Sequence, residues 1–329
     1  MTGFSIKTVS RVINNSPNVR PETRRTILKA IEESHFSINL MARGLKTNST
    51  QTIILFVDKH GGNYWNAWHS IIIMEIISDF KQRGYKIILS PSSGNGIIGD
   101  ETDGFVLLKS GMADGAVLFD NVRDDIRIRY LRENRIPFVI AGQDLDNNDT
   151  SFVDLDNQRV GRLGAEHLID NGYSNITFLL GGDTFYVNKN RARGFEEVCR
   201  NEGVDYAIKF DSTSLEETYR AAKTTLMERE TDAFFVSGDE KVPAVYKAIY
   251  EKGKRIPGDI GVLGIDNIPQ SHFLSPGLSS IDQNIPKFAR KMVNYLVELI
   301  HAKEKKVLGE FIKPELIMRE STNKKKLDL

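Results

Sequence analysis

The sequence predicts an α/β protein built on parallel sheets and preceded by a small all-helical module. Two observations carry this prediction. From residue 51 onward, short apolar runs alternate with stretches of helical periodicity, which is the pattern of strands joined by crossover helices. In residues 1–50, the apolar side chains instead recur at helical spacing. With 329 residues and 40% apolar content, the chain is long enough for a small module and either a large domain or a pair of lobes.

The first predicted element is a short helix that begins after Ser5. This serine is a suitable N-cap, because its hydroxyl can accept the free N–H of Thr8. One face is apolar at helical spacing: Val9, Val12 and Ile13. The opposite face combines two cations with an isoleucine: Ile6, Lys7 and Arg11. Such a helix suits the major groove of DNA, where its N-terminal residues must reach base edges, although many short surface helices of enzymes share the pattern.

Two further helices are predicted before residue 50. The first begins at Pro21, since proline is favoured at the first helical position and Glu22 complements the positive end of the helix. Its apolar stripe consists of Ile27, Ala30 and Ile31. A shorter helix of two turns is predicted over residues 39–46, before the chain becomes polar and extended.

Charge is unevenly distributed along the chain. Residues 1–49 contain eight Lys and Arg against three Asp and Glu, so their net charge is +5. Because the whole chain has zero net charge, the remainder carries −5. A basic segment attached to an acidic body suits a phosphate-binding module whose body does not adhere to DNA.

The region from residue 51 consists of alternating strands and helices. Apolar runs typical of buried parallel strands cover residues 52–57, 86–89, 116–119, 137–140, 176–180, 233–236 and 260–264. Helical stretches cover residues 71–82, 105–110 and 126–133. This alternation predicts parallel sheets with right-handed crossovers. It fits one wide sheet and two smaller sheets equally well.

The composition argues against several classes of protein. Cys199 is the single cysteine, which excludes an internal disulfide and a multi-cysteine metal site, and its helical context predicts a core position. No secretory segment and no run of 18 apolar residues is present, so a soluble cytoplasmic protein is expected. The sequence gives no support for an enzyme, a cofactor or a metal site. The paired acids are adjacent in the chain, the histidines lack the spacing of metal ligands, and Gly181-Gly182-Asp183 does not match a phosphate loop.

Three segments near the N-terminus, TVSRVIN, RPETRRTILKAIEESHF and NLMARGLK, together resemble the DNA-binding headpiece and hinge of the lactose/galactose repressor (LacI/GalR) family. Further segments that are similar to family markers continue in order to the C-terminus, among them RIPFV, EHLIDNGYSNITFLLGG, RARGF, IPGDIGV and PELIMRES. The resemblance therefore covers essentially the whole chain. It implies a periplasmic-binding-protein-like core of two doubly wound parallel-sheet lobes, preceded by a small all-α helix-turn-helix headpiece and a hinge helix.

The resemblance also implies domain boundaries. The headpiece and hinge would comprise residues 1–49, and the effector-binding and dimerisation core residues 50–329. Lobe 1 would comprise about 50–161 and 286–308, and lobe 2 about 162–285 and 309–329. The family has a full helix before the turn that matches Gly3-Phe4-Ser5, whereas Met1 already lies in that turn. We therefore expect a truncated headpiece that folds poorly alone. Either the start is assigned or cut too late, or the protein has lost competent DNA binding.

For DNA, the resemblance assigns roles to seven residues. Base-reading positions are matched by Ile6, Lys7 and Arg11. Phosphate or helix-orienting contacts are implied for Thr8, Ser10 and Asn14. Leu45 matches the hinge leucine that inserts into the minor groove and kinks the operator. The neighbouring Gly44 weakens this short helix by roughly 1 kcal/mol relative to alanine, so we expect the hinge to fold only in the bound dimer; a flexible linker without a DNA role is the alternative.

For the effector, the resemblance assigns five residues. The matched positions are Trp68, His69, Arg191, Asp266 and Gln283. An arginine fork and a carboxylate beside aromatic rings would suit the hydroxyl groups and the C–H face of a sugar or sugar derivative. The alternatives are a surface ion pair for Arg191 and Asp266 and a core position for Trp68. Gly238-Asp239 and Gly142-Gln143 depart from the residues common in sugar repressors, so no particular sugar is expected.

The expected function is that of a sequence-specific transcriptional repressor, acting as a homodimer on double-stranded operator DNA. Effector binding between the lobes would change the separation of two hinge helices, and a coupling free energy of about 3 kcal/mol would change operator affinity roughly a hundredfold. The alternatives are a solute-binding protein of a transporter, a regulator without DNA binding, and a global regulator that docks an adaptor protein. The sign of the response is open.

Overall fold

The computed structural model describes residues 3–13, 16–34, 49–57, 66–98, 104–144 and 146–324. The chain divides into two compact units, Met1–Thr50 and Gln51–Leu329. In the first unit, helix α1 spans Ile6–Ile13 and helix α2 spans Pro21–Glu33. The predicted start of α2 at a proline is confirmed. The helix expected over residues 39–46 lies outside the described residues.

The predicted cap of α1 is also confirmed, because the N–H of Thr8 donates to the Ser5 hydroxyl at 3.2 Å. The small interior of this unit contains the buried side chains of Val12 from α1 and Ile27 from α2. The apolar side of α1 therefore faces inward, as its periodicity predicts.

The second unit contains two sheets. The first part of its chain forms β1 (Thr52–Val57), α3 (Ala67–Gln82), β2 (Lys86–Pro91), α4 (Gly104–Lys109), β3 (Gly115–Leu118), α5 (Ile126–Glu133), β4 (Phe138–Ala141) and β5 (Phe152–Leu155). The next part forms α6 (Asn157–Asp170), β6 (Asn175–Leu179), α7 (Tyr186–Glu202), β7 (Asp205–Lys209), α8 (Leu215–Glu228), β8 (Ala233–Val236), α9 (Val242–Glu251), β9 (Gly261–Ile265) and β10 (Ser279–Asp282). The last part forms α10 (Ile285–His301), β11 (Gly309–Ile312) and β12 (Glu315–Ile317).

Each sheet has six strands and defines one lobe. The first sheet has the order β11-β5-β4-β3-β1-β2 and is parallel throughout. The second has the order β12-β10-β9-β8-β6-β7, in which β12 alone is antiparallel. In both sheets, the strand order reverses beside the first strand of the lobe. These are the two doubly wound lobes that the family resemblance implies. Ligands of such sheets bind beyond the carboxyl ends of the strands near this reversal.

The chain passes between the lobes three times, and two of these crossings differ from the expected positions. The first lies at Asp156 rather than near Arg162, because helix α6 begins at Asn157 and packs along α7 of the second lobe. The last lies at 313–314 rather than near Gly309, because residues Gly309–Ile312 pair with β5 in the first sheet. Helix α10 packs against α3 and the first sheet, so it belongs to the first lobe as expected.

Candidate functional site

Arg191 on α7 lies at the carboxyl end of the second sheet and is almost fully buried. Its Nη1 donates to the Ser237 hydroxyl at 2.9 Å, just beyond β8, and its Nε donates to the side-chain oxygen of Asn157 at 2.9 Å. Both acceptors are neutral. Within the described part of the chain, the guanidinium forms no direct ion pair, although the charges of Asp266 and Asp154 act on it. Burial lowers the pKa of Arg191 because desolvation disfavours the charged form. A guanidinium nevertheless stays protonated in proteins, so its charge can act on a ligand.

The position of Arg191 depends on close packing of α6 against α7. A Cβ on Gly161 of α6 would overlap the backbone carbonyl oxygen of Arg191. A Cβ on Gly194 of α7 would overlap the carbonyl oxygen of Gln158. The two helix backbones are therefore in contact where glycine occurs on each side. This contact brings Asn157, at the start of α6, to the guanidinium.

Asp266 follows β9 directly and is buried. It has a φ of 117°, a conformation that costs a residue with a Cβ about 1–3 kcal/mol. Its carboxylate accepts a hydrogen bond from the side-chain amide of Gln283. Burial raises the pKa of Asp266 well above its usual range, and the negative charges of Glu240 and Asp239 raise it further. Two of the predicted effector residues are thus in direct contact.

Asp239 adds a second buried carboxyl group behind Asp266. It accepts hydrogen bonds from the hydroxyls of Ser271 at 2.5 Å and Ser280 at 2.9 Å. It also lies against Gly264 of β9, where any Cβ would overlap it. Burial raises the pKa of Asp239 to about 7. The carboxyl end of the second sheet therefore contains two acids that resist ionisation, Asp239 and Asp266.

A series of hydrogen bonds connects Arg191 to the first sheet. The Asn157 side chain that accepts from Arg191 donates to Asp154 of β5 at 3.2 Å. The other carboxylate oxygen of Asp154 accepts from Gln143, just beyond β4, at 2.8 Å. The Gln143 carbonyl accepts from the side chain of Asn121. Burial raises the pKa of Asp154 to about 6, against the lowering effect of these hydrogen bonds. The two lobes are therefore linked through polar side chains at the cleft.

The first lobe contributes an aromatic wall. Trp68 makes edge-to-face contacts with the rings of His69, Phe119 and Phe288, at centroid distances of 5.1, 6.2 and 6.0 Å. The two ring nitrogens of His69 face side-chain oxygens of Asn66, at 2.7 Å, and Asp120, at 3.0 Å. Trp68 and His69 lie in the first turn of α3, not before it as expected. The helix starts earlier because the Asn66 side chain caps it by accepting from the backbone N–H of His69.

Helix α1 of the N-terminal unit presents a different surface. Ile6, Lys7 and Arg11 are exposed, and Ile6 is 89% exposed although it is apolar. Thr8 and Ser10 are half-buried. Two other predicted DNA contacts, Asn14 and Leu45, lie outside the described residues. The exposed face thus combines cations with an apolar side chain near the start of a helix.

Comparison with known proteins decides the family. Residues 1–39 match the family of bacterial regulatory proteins called lacI, and residues 165–322 match a periplasmic binding protein-like domain. The HTH-type transcriptional repressor PurR of Mannheimia succiniciproducens is 30% identical over 331 residues, covering 98% of this chain and 97% of its own. The chain belongs to the lacI family of bacterial regulatory proteins. Its function is therefore that of a DNA-binding transcriptional regulator.

Other members of the lacI family resemble the chain over a similar length. The regulator CelR of Thermobifida fusca is 28% identical, covering 98% of this chain and 96% of its own. Among solved structures, a CelR–cellobiose complex matches with a TM-score of 0.74 and 25% identity, covering 97% of each chain. A lac repressor dimer bound to operator and the anti-inducer ONPF has a TM-score of 0.85 at 22% identity, covering 98% of this chain and 96% of that one. The lac repressor match shows that the fold is shared.

The predicted effector residues of this lacI family protein fall into two groups. Asp266 and Gln283 are in contact, and Arg191 is close enough for its charge to act on Asp266. Trp68 and His69 form the separate aromatic wall on the first lobe. The polar residues that hold Arg191, Asn157 and Ser237, were not predicted from the sequence. Serine and asparagine are common in turns, so Ser237 gave no signal of its own.

The described residues outside this site were also considered for depressions, metal ligands and membrane spans. Two surface depressions, of about 670 Å³ at the end of α10 and about 570 Å³ beside α9, are lined by none of these five residues. In the described ranges, no cluster of His, Cys, Asp and Glu is suited to a metal ion. No described helix combines the length and hydropathy that a membrane span requires. Cys199 is buried, as predicted.

Proposed function

We propose that the effector of this regulator is a carbohydrate bound between the lobes. The observation that carries the proposal is the pair Arg191 and Asp266, a buried guanidinium and a buried carboxyl group that form no ion pair with each other. A ligand with several hydroxyl groups can donate to the carboxylate and accept from the guanidinium at once. The rings of Trp68 and His69 on the first lobe would contact its C–H face. The relative CelR, whose solved structure contains cellobiose, makes this class of ligand a suitable first choice.

A thermal-shift screen with a sugar panel tests this proposal. We expect at least one sugar to raise the melting temperature, and Arg191→Ala to abolish the shift. Arg193→Ala is the matched control, because Arg193 is an exposed arginine on the same helix and should leave the shift intact. A shift that persists in Arg191→Ala, or the absence of any stabilising sugar, would contradict the assignment.

We further propose that α1 reads base edges in the major groove through Ile6, Lys7 and Arg11. Thr8, Ser10 and Asn14 would contact phosphates or orient the helix, and Leu45 would enter the minor groove. Selection of bound duplexes from a random library tests these roles. Lys7→Ala should change the selected sequence, whereas Leu45→Ala should weaken binding to all sequences. Lys29→Ala, an exposed lysine on α2, is the control.

A homodimer is proposed to set the spacing of the two headpieces. It is supported by exposed apolar side chains on the first lobe, where Met74 of α3, Ile88 and Leu89 of β2, and Ile97 are accessible. Strand β2 is also an edge of its sheet. Contact with a second copy would cover this surface. Met74→Glu should then shift sedimentation toward the monomer, whereas Met227→Glu on α8 of the second lobe should not.

Repression would be controlled by the effector through the angle between the lobes. An effector that favours one angle by about 3 kcal/mol would change operator affinity roughly a hundredfold, in either direction. Fluorescence anisotropy with a selected duplex, at saturating and at zero sugar, measures this coupling. Equal affinities in both conditions would contradict effector control.

A further inference from the structure

The turn between β8 and α9 carries two charged side chains into the cleft end of the second lobe. Residues Asp239–Lys241 form a single 3-10 turn after Gly238, which has a φ of 107°. A Cβ on Gly238 would lie 2.7 Å from Oε1 of Glu240 and 2.7 Å from Cε of Lys241. Both side chains therefore fold back over the glycine. Only a residue without a side chain leaves them this path.

Lys241 is buried although it is an ammonium group, with 9% of its surface exposed. Its Nζ donates to the backbone carbonyl of Ser212 at 2.8 Å, and within the described residues it forms no direct ion pair. The charges of Glu240, Asp266 and Arg191 all act on it. The ammonium therefore belongs to the same group of charges as the Arg191–Asp266 site, with donor capacity left unused.

Two acceptors beside this ammonium also lack hydrogen bonds. Oε2 of Glu240 and the hydroxyl of Ser212 are buried and have no partner in the described part of the chain. Leaving a buried polar group without a hydrogen bond is unfavourable, so a bound molecule that supplies the missing hydrogen bonds would be stabilised here. Together the three residues offer a cationic donor, an anionic acceptor and a hydroxyl that can do either.

We propose that Glu240, Lys241 and Ser212 form a second subsite of the cleft, which binds neighbouring hydroxyl groups of an uncharged sugar. This inference rests on the proposed carbohydrate effector and adds the residues that select it. One hydroxyl accepts from the Lys241 ammonium and donates to the Glu240 carboxylate, and the next exchanges a hydrogen bond with Ser212.

The surrounding charges favour an uncharged ligand. A sugar carboxylate would approach Glu240, whose negative charge acts on this end of the sheet. A sugar amine would approach the two buried cations, Lys241 and Arg191. Hydroxyl groups avoid both repulsions, because they satisfy a cation and an anion with the same oxygen. The subsite thus distinguishes sugars by charge, whereas Arg191 holds them by their diol.

The test compares variants of the full chain by calorimetry with cellobiose, glucose, glucuronate and glucosamine, together with any sugar found in the thermal screen. We expect uncharged sugars to bind the native protein better than the charged pair. Lys241→Met and Glu240→Gln should each weaken that binding by roughly tenfold to a hundredfold, the range for a lost hydrogen bond to a charged group. Lys247→Met, an exposed lysine on α9, should leave it unchanged.

A second measurement separates a ligand contact from a structural role. Lys241→Met removes a buried unpaired charge, so the melting temperature without sugar should stay equal or rise. A lower melting temperature, or sugar binding that neither variant affects, overturns the subsite while leaving the Arg191 site intact. Preferred binding of glucuronate or glucosamine also overturns it. If no sugar binds the native protein, the carbohydrate effector itself is refuted, and the subsite with it.

Discussion

Each lobe contains a buried arginine, and the two are satisfied in different ways. In the first lobe, Arg127 forms a direct ion pair with Asp125 at 2.8 Å and also donates to the backbone carbonyls of Phe119 and Asp120. In the second lobe, Arg191 has two neutral side-chain acceptors and no ion pair among the described residues. The charge of Arg127 is therefore paired within the protein, whereas the hydrogen-bond acceptors of Arg191 are neutral and leave its charge without a direct counter-ion among the described residues. This is the difference expected between an arginine with a structural role and one that binds a ligand, which is the role proposed for Arg191.

Replacing each arginine should give the largest difference in the free energy of unfolding between two variants. Arg127→Met leaves Asp125 buried without its partner, and we expect a loss of about 4 kcal/mol in the free energy of unfolding. Arg191→Met removes a buried charge that has no ion pair, so the ligand-free protein should be unchanged or more stable. Urea denaturation of both variants measures the difference. Equal destabilisation would show that both arginines are structural.

The contact between α6 and α7 should be the next most sensitive feature. Gly161→Ala forces a Cβ against the backbone of α7, and we expect a loss of about 3 kcal/mol in the free energy of unfolding, with loss of sugar binding because Arg191 moves. Gly182→Ala is the control, because its Cβ would meet only ordinary contacts. Differential scanning calorimetry gives the stability. Native stability in Gly161→Ala would mean that the helices can separate without cost.

Stability should depend on pH through Asp154. Its pKa is about 6 in the folded protein, above its usual value of 3.8, so the unfolded chain ionises first as pH rises. The contribution of Asp154 to the free energy of unfolding is therefore complete below about pH 4 and is lost as pH rises through about 6. This contribution amounts to roughly 2–3 kcal/mol. Asp154→Asn should lack this component, and Gln143 can rotate its amide to keep the hydrogen bond. Parallel pH profiles for the two proteins would disprove the assignment.

Ser237→Ala should produce the smallest effect. It removes one neutral acceptor from Arg191, and we expect sugar affinity to fall by about 1 kcal/mol, roughly fivefold, because the guanidinium is less well oriented. Ser70→Ala on the exposed side of α3 provides a control in the first lobe. Calorimetric titration detects a change of this size. An effect as large as that of Arg191→Ala would place the hydroxyl itself on the ligand.

Most of the strands could be predicted from the sequence because buried parallel strands require continuous apolar runs. Five strands were missed: β5, β7, β10, β11 and β12. Strand β10 reads Ser279-Ser280-Ile281-Asp282, and its two serines are buried because Arg319, Thr322 and Asp239 satisfy their hydroxyls. Such partners come from distant parts of the chain. A local pattern therefore cannot distinguish this strand from a polar turn.

The residues of the candidate site also differ in whether the sequence alone could indicate them. The resemblance assigned Arg191, Asp266 and Gln283 to the site, since the family motif matches their positions in the chain, and their contact with an effector stays a prediction. The partners Asn157 and Ser237 could not be assigned in this way, because an ordinary polar residue becomes important only when folding places it beside the guanidinium. His69 is the converse case, since the structure gives both of its ring nitrogens protein partners. Its predicted contact with the effector remains a prediction.

Three properties follow from the amino-acid sequence alone: the alternation of strands and helices, the basic N-terminal helix and the membership of the family. These properties depend on local periodicity and on ordered motifs, which are present before folding. Three other features depend on the folded structure: β11 joins the first sheet, two glycines bring α6 and α7 into contact, and the charge of Arg191 acts on Lys241. The reason is physical. The burial and pairing of a charge depend on residues far away in the chain, and folding alone brings these together.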